Sequence, residues 1–120
     1  HFYSPEQFTD RSDRFMISEM VREKLMRLLG QELPYRTAVS VEHMEETPER
    51  LNVHVIIWVE KDTHKGIVIG GGGQKLKQIG TEARMDIEKF FGKSVVLKTW
   101  VKVKSGWSDS SRFLDELGLD

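Results

Sequence analysis

The sequence predicts an α+β fold in which a three-stranded sheet carries helices on one face, with a glycine loop before the main helix. Three observations support this prediction. Apolar residues recur at every second position in three short segments, which is typical of strands, and at helical spacing in two longer segments. Four consecutive glycines, Gly70–Gly73, precede the second helical segment. The predicted order is helix, strand, strand, glycine loop, helix, strand and short helix.

The two long helices are predicted from Asp13 to Leu29 and from Gln74 to about Phe91. Apolar residues at helical spacing form their buried stripes: Ile17, Val21, Leu25 and Leu28 in the first, and Leu76, Ile79, Ala83, Ile87 and Phe90 in the second. Gly80 interrupts the second helix, where a glycine costs about 1 kcal/mol relative to alanine. We therefore expect a strand or a ligand to approach the backbone closely there. A short helix is predicted from Asp109 to Leu117.

The three strands are predicted at Thr37–His43, Leu51–Lys61 and Val95–Lys104. In the first strand, the odd positions should face the core, while Ser40 and Glu42 should face the other side. Between the second strand and the glycines, Asp62–Gly66 is predicted to be a polar turn. Periodicity over residues 67–69 is too short to distinguish a strand from a single helical turn.

The third strand has two different faces. Apolar residues occupy one face, and the other carries Lys98, Trp100, Lys102 and Lys104. Lysines beside a tryptophan can contact phosphates and stack on a base. Lysines also protect edge strands from aggregation, so the pattern favours the two interpretations about equally.

The glycine loop has the features of an anion site. An apolar segment enters it, and a helix with Lys75 and Lys77 in its first turn follows, so free N–H groups and the positive end of the helix dipole meet there. The P-loop pattern fails because Leu76 stands where a hydroxyl is required, and the dinucleotide fingerprint lacks its third glycine. The spacing Gly70-x-x-Gly73 remains.

Charge and composition narrow the possible functions. The net charge is −1, but residues 61–104 contain ten Lys and Arg against four Asp and Glu, so positive charge is concentrated around the loop. The chain has no cysteine, which excludes disulfides and thiolate metal sites. The four histidines show no metal-ligand spacing, and we predict no catalytic or metal site. The 120 residues suit one domain.

Three motifs resemble a known family. The segment V-I-G-x-x-G-x-x-L-K-x-I-G from Val68 to Gly80 resembles the signature loop of KH domains, and the element order resembles their type II form. Together with R-E-K-L-M-R-L-L-G-Q-E-L-P-Y (residues 22–35) and L-x-x-W-V-K-V-K-x-x-W (residues 97–107), it resembles the C-terminal domain of the Era family of bacterial GTPases. The resemblance implies that residues 1–12 are a linker from an N-terminal GTPase domain and that residues 13–120 form the KH domain. It also implies that Ile67–Ile69 are helical.

The resemblance implies that the loop clamps the backbone of single-stranded RNA. The expected RNA-binding residues are Lys65, Ile69, Gly70, Gly71, Gly72, Gly73, Lys75, Leu76, Lys77, Ile79 and Gly80. Family members often have a basic residue in the middle of the loop, where this chain has Gly71 and Gly72. We therefore expect phosphate to be held by backbone N–H groups, with a looser loop and weaker RNA binding.

The resemblance also implies partners and a location. The RNA would be the 3′ region of small-subunit ribosomal RNA, and the chain would act in small ribosomal subunit assembly, as a monomer and beside its own GTPase domain. GTP and magnesium would belong to that domain, and none is expected in this fragment. The protein would be cytoplasmic and loosely associated with the inner membrane. The alternatives are a KH-shaped protein-interaction domain and the KH module of another ribosomal or transcription protein.

Overall fold

A computed structural model describes residues 10–30 and 33–117. It contains four helices and three strands in the described ranges: α1 (Asp10–Leu28), β1 (Ala38–Glu46), β2 (Arg50–Val59), α2 (Asp62–Ile69), α3 (Gln74–Phe91), β3 (Ser94–Val103) and α4 (Ser111–Leu117). Short 3-10 turns lie at Leu33–Arg36, Gly71–Gly73 and Trp107–Asp109. The predicted α+β fold class is confirmed.

The sheet has the strand order β1-β2-β3, with β1 antiparallel and β3 parallel to the central strand. Parallel neighbours require a crossover connection, because the chain has to return to the same end of the sheet. Here the connection from Val59 to Ser94 contains α2, the glycine loop and α3. The loop is therefore held between two helices that both pack on the sheet.

The main core lies between one face of the sheet and helices α1, α2 and α3. The alternating residues of β2 predicted to face the core, Val53, Val55, Ile57 and Val59, are all fully buried. Helix α3 contributes three fully buried side chains at spacings of four residues: Ile79, Ala83 and Ile87. This stripe fixes the rotation of α3 about its axis, and thereby determines which of its residues face outward.

Two sets of ionic contacts join α1 to α3 at the rim of the core. Lys24 is only 6% exposed, and its ammonium group contacts the carboxylates of Asp86 and Glu23. These hydrogen bonds, with Asp86 contributing most, raise the pKa of Lys24 above its ordinary value. One turn along α1, Arg27 forms an ion pair with Glu82 and lowers the pKa of that carboxyl group. Both contacts help to fix α3 relative to α1.

Strand β1 differs from the predicted alternation because it contains a bulge. The register shifts between Val41 and His43, so Glu42 has no cross-strand partner. The residues after the bulge change faces: His43, predicted to face the core, is exposed and lies opposite His54. The strand also continues to Glu46, beyond its predicted end.

Two further boundaries differ from prediction. Asp62–Gly66, expected as a polar turn, forms the first part of α2, which continues through Ile69. Residues 67–69 are therefore helical, as the family resemblance implies. Helix α1 begins at Asp10, three residues before its predicted start at Asp13, so residues 10–12 of the predicted linker are helical. Residues 1–9 and 118–120, including the rest of the predicted linker, lie outside the described ranges.

The opposite face of the sheet is covered at one end by α4. Phe113 of this helix packs edge to face on Trp58, with ring centroids 5.0 Å apart, and Trp107 and Ala38 complete the cluster. Ser40, predicted to face outward, is buried at this end and accepts a hydrogen bond from Trp58 Nε1 at 2.9 Å. Further along this face, on β3, Trp100 is 44% exposed.

Candidate nucleic-acid interface

The glycine loop joins two helices that run into it from either side. Helix α2 ends at Ile69, and α3 begins at Gln74. Gly70, Gly72 and Gly73 all have positive φ, with values of 78°, 63° and 76°. Other residue types rarely adopt such angles, so three of the four glycines are explained by the backbone path alone.

Gly70 has a second, steric reason to be glycine. A Cβ atom at this position would lie 2.7 Å from Lys75 Cβ and 3.0 Å from Lys75 N. Its own N–H donates to the carbonyl of Gly66 at 2.9 Å, and its carbonyl accepts from Gly73 N–H at 3.1 Å. Gly70 is therefore where the end of α2 is packed directly against the start of α3.

The middle of the loop is open. Gly71 and Gly72 are exposed, and a Cβ atom at either position would meet nothing within 4 Å. Neither residue has a side chain that could cover its N–H group. The first turn of α3 contains no acidic residue and carries Lys75, which is partly buried, and Lys77, which is exposed. Exposed amides, a helix N-terminus and two lysines together favour a bound anion.

A groove of about 350 Å³ continues from the loop between α3 and β3. The helix contributes most of its lining and the strand contributes the rest: Gly73, Leu76, Lys77, Gly80, Thr81, Arg84, Leu97 and Thr99. The lining combines apolar surface from two leucines with two positively charged side chains. Such a groove can hold a base against its apolar wall while the attached phosphates face Lys77 and the loop.

Gly80 forms part of this groove. A Cβ atom placed on it would lie 4.0 Å from Thr99 Oγ1, which is an ordinary van der Waals distance. The predicted close approach of a strand is therefore present, but it leaves room for a methyl group. Packing within the protein does not require glycine here, and its missing side chain widens the groove.

Arg84 is held in place at the end of the groove by its neighbours. Its Nη1 lies 3.1 Å from Glu88 Oε2, one turn further along α3. That carboxylate oxygen also accepts the N–H of Val95 at 3.1 Å, at the start of β3. The ion pair with a carboxylate that is itself fixed to the backbone reduces the number of orientations that the guanidinium can adopt.

The structure brings together most of the residues predicted to bind RNA. Lys75 and the four glycines form the loop and the helix start, and Leu76, Lys77 and Gly80 line the groove with Gly73. Ile69 is partly buried against the core, and Lys65 lies on α2, outside the groove lining. Ile79 is fully buried, so its side chain supports α3 from below, and its predicted part in RNA binding stays a prediction.

Four groove residues were missed in the sequence, namely Thr81, Arg84, Leu97 and Thr99. The two on α3 follow Lys77 by four and seven residues, which is the spacing of one helix face, so helical periodicity could have identified them. The two on β3 are contributed by a strand distant along the chain. Only the packing of α3 on β3 places them opposite the helix.

Two other classes of site are absent from the described ranges, residues 10–30 and 33–117. No group of three or more His, Asp or Glu side chains there is arranged to hold a metal ion. None of the helices in those ranges has the length and apolar character needed to span a membrane.

Comparison with known proteins identifies the domain. Residues 32–108, well over half of the chain, match the family model described as "KH domain". The chain belongs to the KH-domain family. The glycine loop and the helix that follows it are thus the signature elements of this KH domain, as the sequence motif predicted.

The relatives of this KH domain include proteins named GTPase Era. It is 57% identical over 119 residues to GTPase Era of Coxiella burnetii (strain Dugway 5J108-111), an alignment that covers 99% of this chain and 40% of the relative. It is 52% identical over 119 residues to GTPase Era of Marinobacter nauticus, covering 99% of this chain and 39% of that protein. The chain therefore spans about two fifths of the length of these relatives.

Two solved structures share the fold of this KH domain. One is Aquifex aeolicus Era, as a variant bound to GDP and AlF4⁻, with a TM-score of 0.87 and 33% identity over 98% of this chain and 40% of that one. The other is Era in complex with MgGDPNP and nucleotides 1506–1542 of 16S ribosomal RNA, with a TM-score of 0.87 and 34% identity over 99% of this chain and 41% of that one. The predicted resemblance to Era is confirmed.

Proposed function

We propose that this KH domain binds single-stranded RNA in the 3′ region of small-subunit ribosomal RNA. The observation that carries the proposal is the continuity between the open glycine loop and the groove between α3 and β3. The loop offers amides to the phosphates, and the groove offers apolar walls to the bases. The similar Era structure that contains nucleotides 1506–1542 of 16S ribosomal RNA supports this choice of RNA.

We further propose that the parent protein is a GTPase acting in small ribosomal subunit assembly. The relatives named GTPase Era are more than twice as long as this chain, and the Era structures contain GDP with AlF4⁻ or MgGDPNP. GTP and magnesium would belong to the part of the parent outside this KH domain. The last part of the proposal is that the parent protein is monomeric, cytoplasmic and loosely attached to the inner membrane.

The effect of a substitution on RNA binding in the groove can be measured separately from its effect on the stability of the fold. Replacement of Gly80 by leucine adds bulk inside the groove, where the protein leaves space for the first added carbon. A leucine is also a better helix former than glycine by about 0.8 kcal/mol, which helps to keep α3 folded. We expect Gly80→Leu to unfold at a similar or higher urea concentration than wild type and to lose most of its RNA affinity.

Charge changes provide a second measurement of the same site. Each lysine that contacts a phosphate of a single strand contributes about 0.7 to the slope of log affinity against log salt. We expect Lys77→Ala to lower this slope by about that amount, whereas Lys89→Ala, on α3 but outside the groove lining, should leave it unchanged. Aspartates at both Gly71 and Gly72 should weaken binding further, because they place two negative charges beside the loop amides.

The outcome that contradicts the proposal is equally specific. If Gly80→Leu, Lys77→Ala and the double aspartate variant all bind the RNA as well as wild type, the loop and groove are not the RNA site. The domain would then be a KH-shaped protein-interaction module. The exposed glycines at the middle of the loop, without the basic residue common in the family, are the observation that favours this second function.

A further inference from the structure

The face of the sheet opposite α1, α2 and α3 carries an exposed aromatic and basic strip. On the edge strand β3 it consists of Lys98, Trp100 and Lys102, which are all exposed. The rings continue across the sheet: the centroid of Trp100 lies 5.4 Å from that of His54, which lies 4.9 Å from that of His43. We call these five residues the open-face strip.

The open-face strip is distinct from the groove but shares β3 with it. Leu97 and Thr99 point into the groove, and the alternating Lys98 and Trp100 point to the opposite face. Strand β3 is the edge of the sheet in the described ranges, so its outer side is not covered by a further strand. An extended chain leaving the groove over this edge would meet the open-face strip next.

Trp100 is held in a position suited to stacking. It is 44% exposed although it is among the largest side chains of the domain. Its cross-strand neighbour is Ile56, which is only 5% exposed, and the T-shaped contact with His54 restrains the ring from one side. An exposed tryptophan that is supported by its neighbours offers a flat apolar surface without the entropy cost of ordering a mobile side chain.

The lysines place positive charge on both sides of this tryptophan. Lys98 and Lys102 lie two residues before and after Trp100, which in a strand corresponds to a separation of about 7 Å on either side. Neither forms an ion pair with another described residue. Lys104, by contrast, is occupied, because its Nζ lies 4.9 Å from the centre of the Phe113 ring. The charges of the strip are thus available to a partner.

Protection of an edge strand explains only part of this arrangement. Lysines on an exposed edge discourage pairing with a second sheet. An exposed tryptophan between them has the opposite effect, because it adds apolar surface to the same edge. The combination of a restrained aromatic ring with flanking cations fits a polyanion with flat apolar groups, which is the chemistry of single-stranded nucleic acid.

We propose that the open-face strip is a second contact surface for the same RNA strand. In this arrangement, nucleotides that continue beyond the groove cross the edge of β3, stack a base on Trp100 and place phosphates beside Lys98 and Lys102. The proposal rests on the RNA-binding function proposed for the groove and extends it to a longer RNA segment. It makes the bound segment longer than the roughly four nucleotides held by a KH loop.

The test compares two labelled RNAs, a short one of about four nucleotides and a longer one of about twelve, which contains the short sequence. Trp100→Ala should leave binding of the short RNA unchanged and weaken binding of the longer RNA by about five-fold or more. Trp100→Phe keeps a stacking ring and should restore most of the affinity. Lys98→Ala combined with Lys102→Ala should lower the salt slope of the longer RNA by about 1.4 and leave that of the short RNA unchanged.

Each other result has a defined meaning. If the longer RNA binds no more tightly than the short one, or if Trp100→Ala weakens neither, the strip is not an RNA contact. The same holds if polyglutamate displaces the longer RNA as effectively as unlabelled longer RNA does, because the strip would then bind acidic chains in general. If the short RNA fails to bind while the longer RNA binds and depends on Trp100, the strip is supported and the groove function fails.

Discussion

Gly70 offers the sharpest test of the loop geometry, because its backbone angles and its close contact with Lys75 both require glycine. Alanine at this position would have to adopt a φ of 78° with a ψ of 173°, a region of backbone space that is essentially restricted to glycine. Strain of this kind costs about 1–3 kcal/mol. We therefore expect Gly70→Ala to destabilise the domain before any steric contact is counted.

The steric contact adds to this cost. The new Cβ atom would lie 2.7 Å from Lys75 Cβ and 3.0 Å from Lys75 N, so the first turn of α3 would have to move. Overpacking of this kind costs a further 1–3 kcal/mol, roughly. The sum of about 2–6 kcal/mol is a large part of the free energy of unfolding of a typical domain, which is roughly 5–15 kcal/mol. It corresponds to a fall in Tm of about 8–24 °C for a chain of this length.

Gly71→Ala is the matched control, one residue further along the same loop. Its φ is not in the left-handed region, and a Cβ atom there would meet nothing within 4 Å. Alanine should therefore be neutral, or stabilising by about 0.4–1 kcal/mol through the unfolded chain. Urea unfolding followed by circular dichroism measures both variants. Equal midpoints and equal m values for Gly70→Ala and Gly71→Ala would refute the packing of Gly70 against Lys75.

The two ionic contacts between α1 and α3 give opposite pH dependences. Lys24→Met keeps most of the buried stem but loses the charged hydrogen bonds to Asp86, so we expect a loss of about 1–3 kcal/mol in urea unfolding at pH 7. Because the folded state raises the pKa of Lys24, the extra stability of wild type over Lys24→Met should be complete below pH 10.5 and should decline as the pH rises above that value. A stability difference that stays unchanged up to pH 12 would contradict this. Glu82→Gln removes the partner of Arg27. Because the folded state lowers the pKa of Glu82, wild type should be more stable than Glu82→Gln above pH 4.5, and this difference should be lost as the pH falls below that value. This second advantage should shrink in high salt, since the pair is partly exposed; a constant difference from pH 7 to pH 2 would show that the ion pair contributes nothing.

The main helix and the central strand could be predicted from the sequence because their signals are local. Glycines stand at both ends of α3, and its buried residues recur at four-residue intervals, so the predicted and observed bounds agree at Gln74 and Phe91. In β2, every second residue from Leu51 to Val59 is apolar and buried, because one face of the strand packs on the main core. In both elements, short-range pattern and long-range packing agree.

Long-range contacts determined the features that were not predicted. The bulge at Glu42 changes which residues of β1 face the core, and no local signal marks it. Ser40 is buried because α4, far along the chain, covers that end of the sheet. The β3 wall of the groove, with Leu97 and Thr99, exists only once the strand lies beside α3. The glycine loop itself was identified correctly, because its unusual composition is its signal.

The parallel pairing of β2 with β3 links the loop to the assembly of the whole domain. Strand β3 can join the sheet only after the 34 residues between Val59 and Ser94 have been arranged, and seven of these are glycines, the residues with the most freedom to lose. Non-local closure of this kind is the slow step in proteins with similar topology. Speed of folding therefore favours a stiffer loop, whereas close access to the loop amides favours one without side chains. Gly71 and Gly72 leave the loop amides uncovered and at the same time make the connection between β2 and β3 more flexible in the unfolded chain.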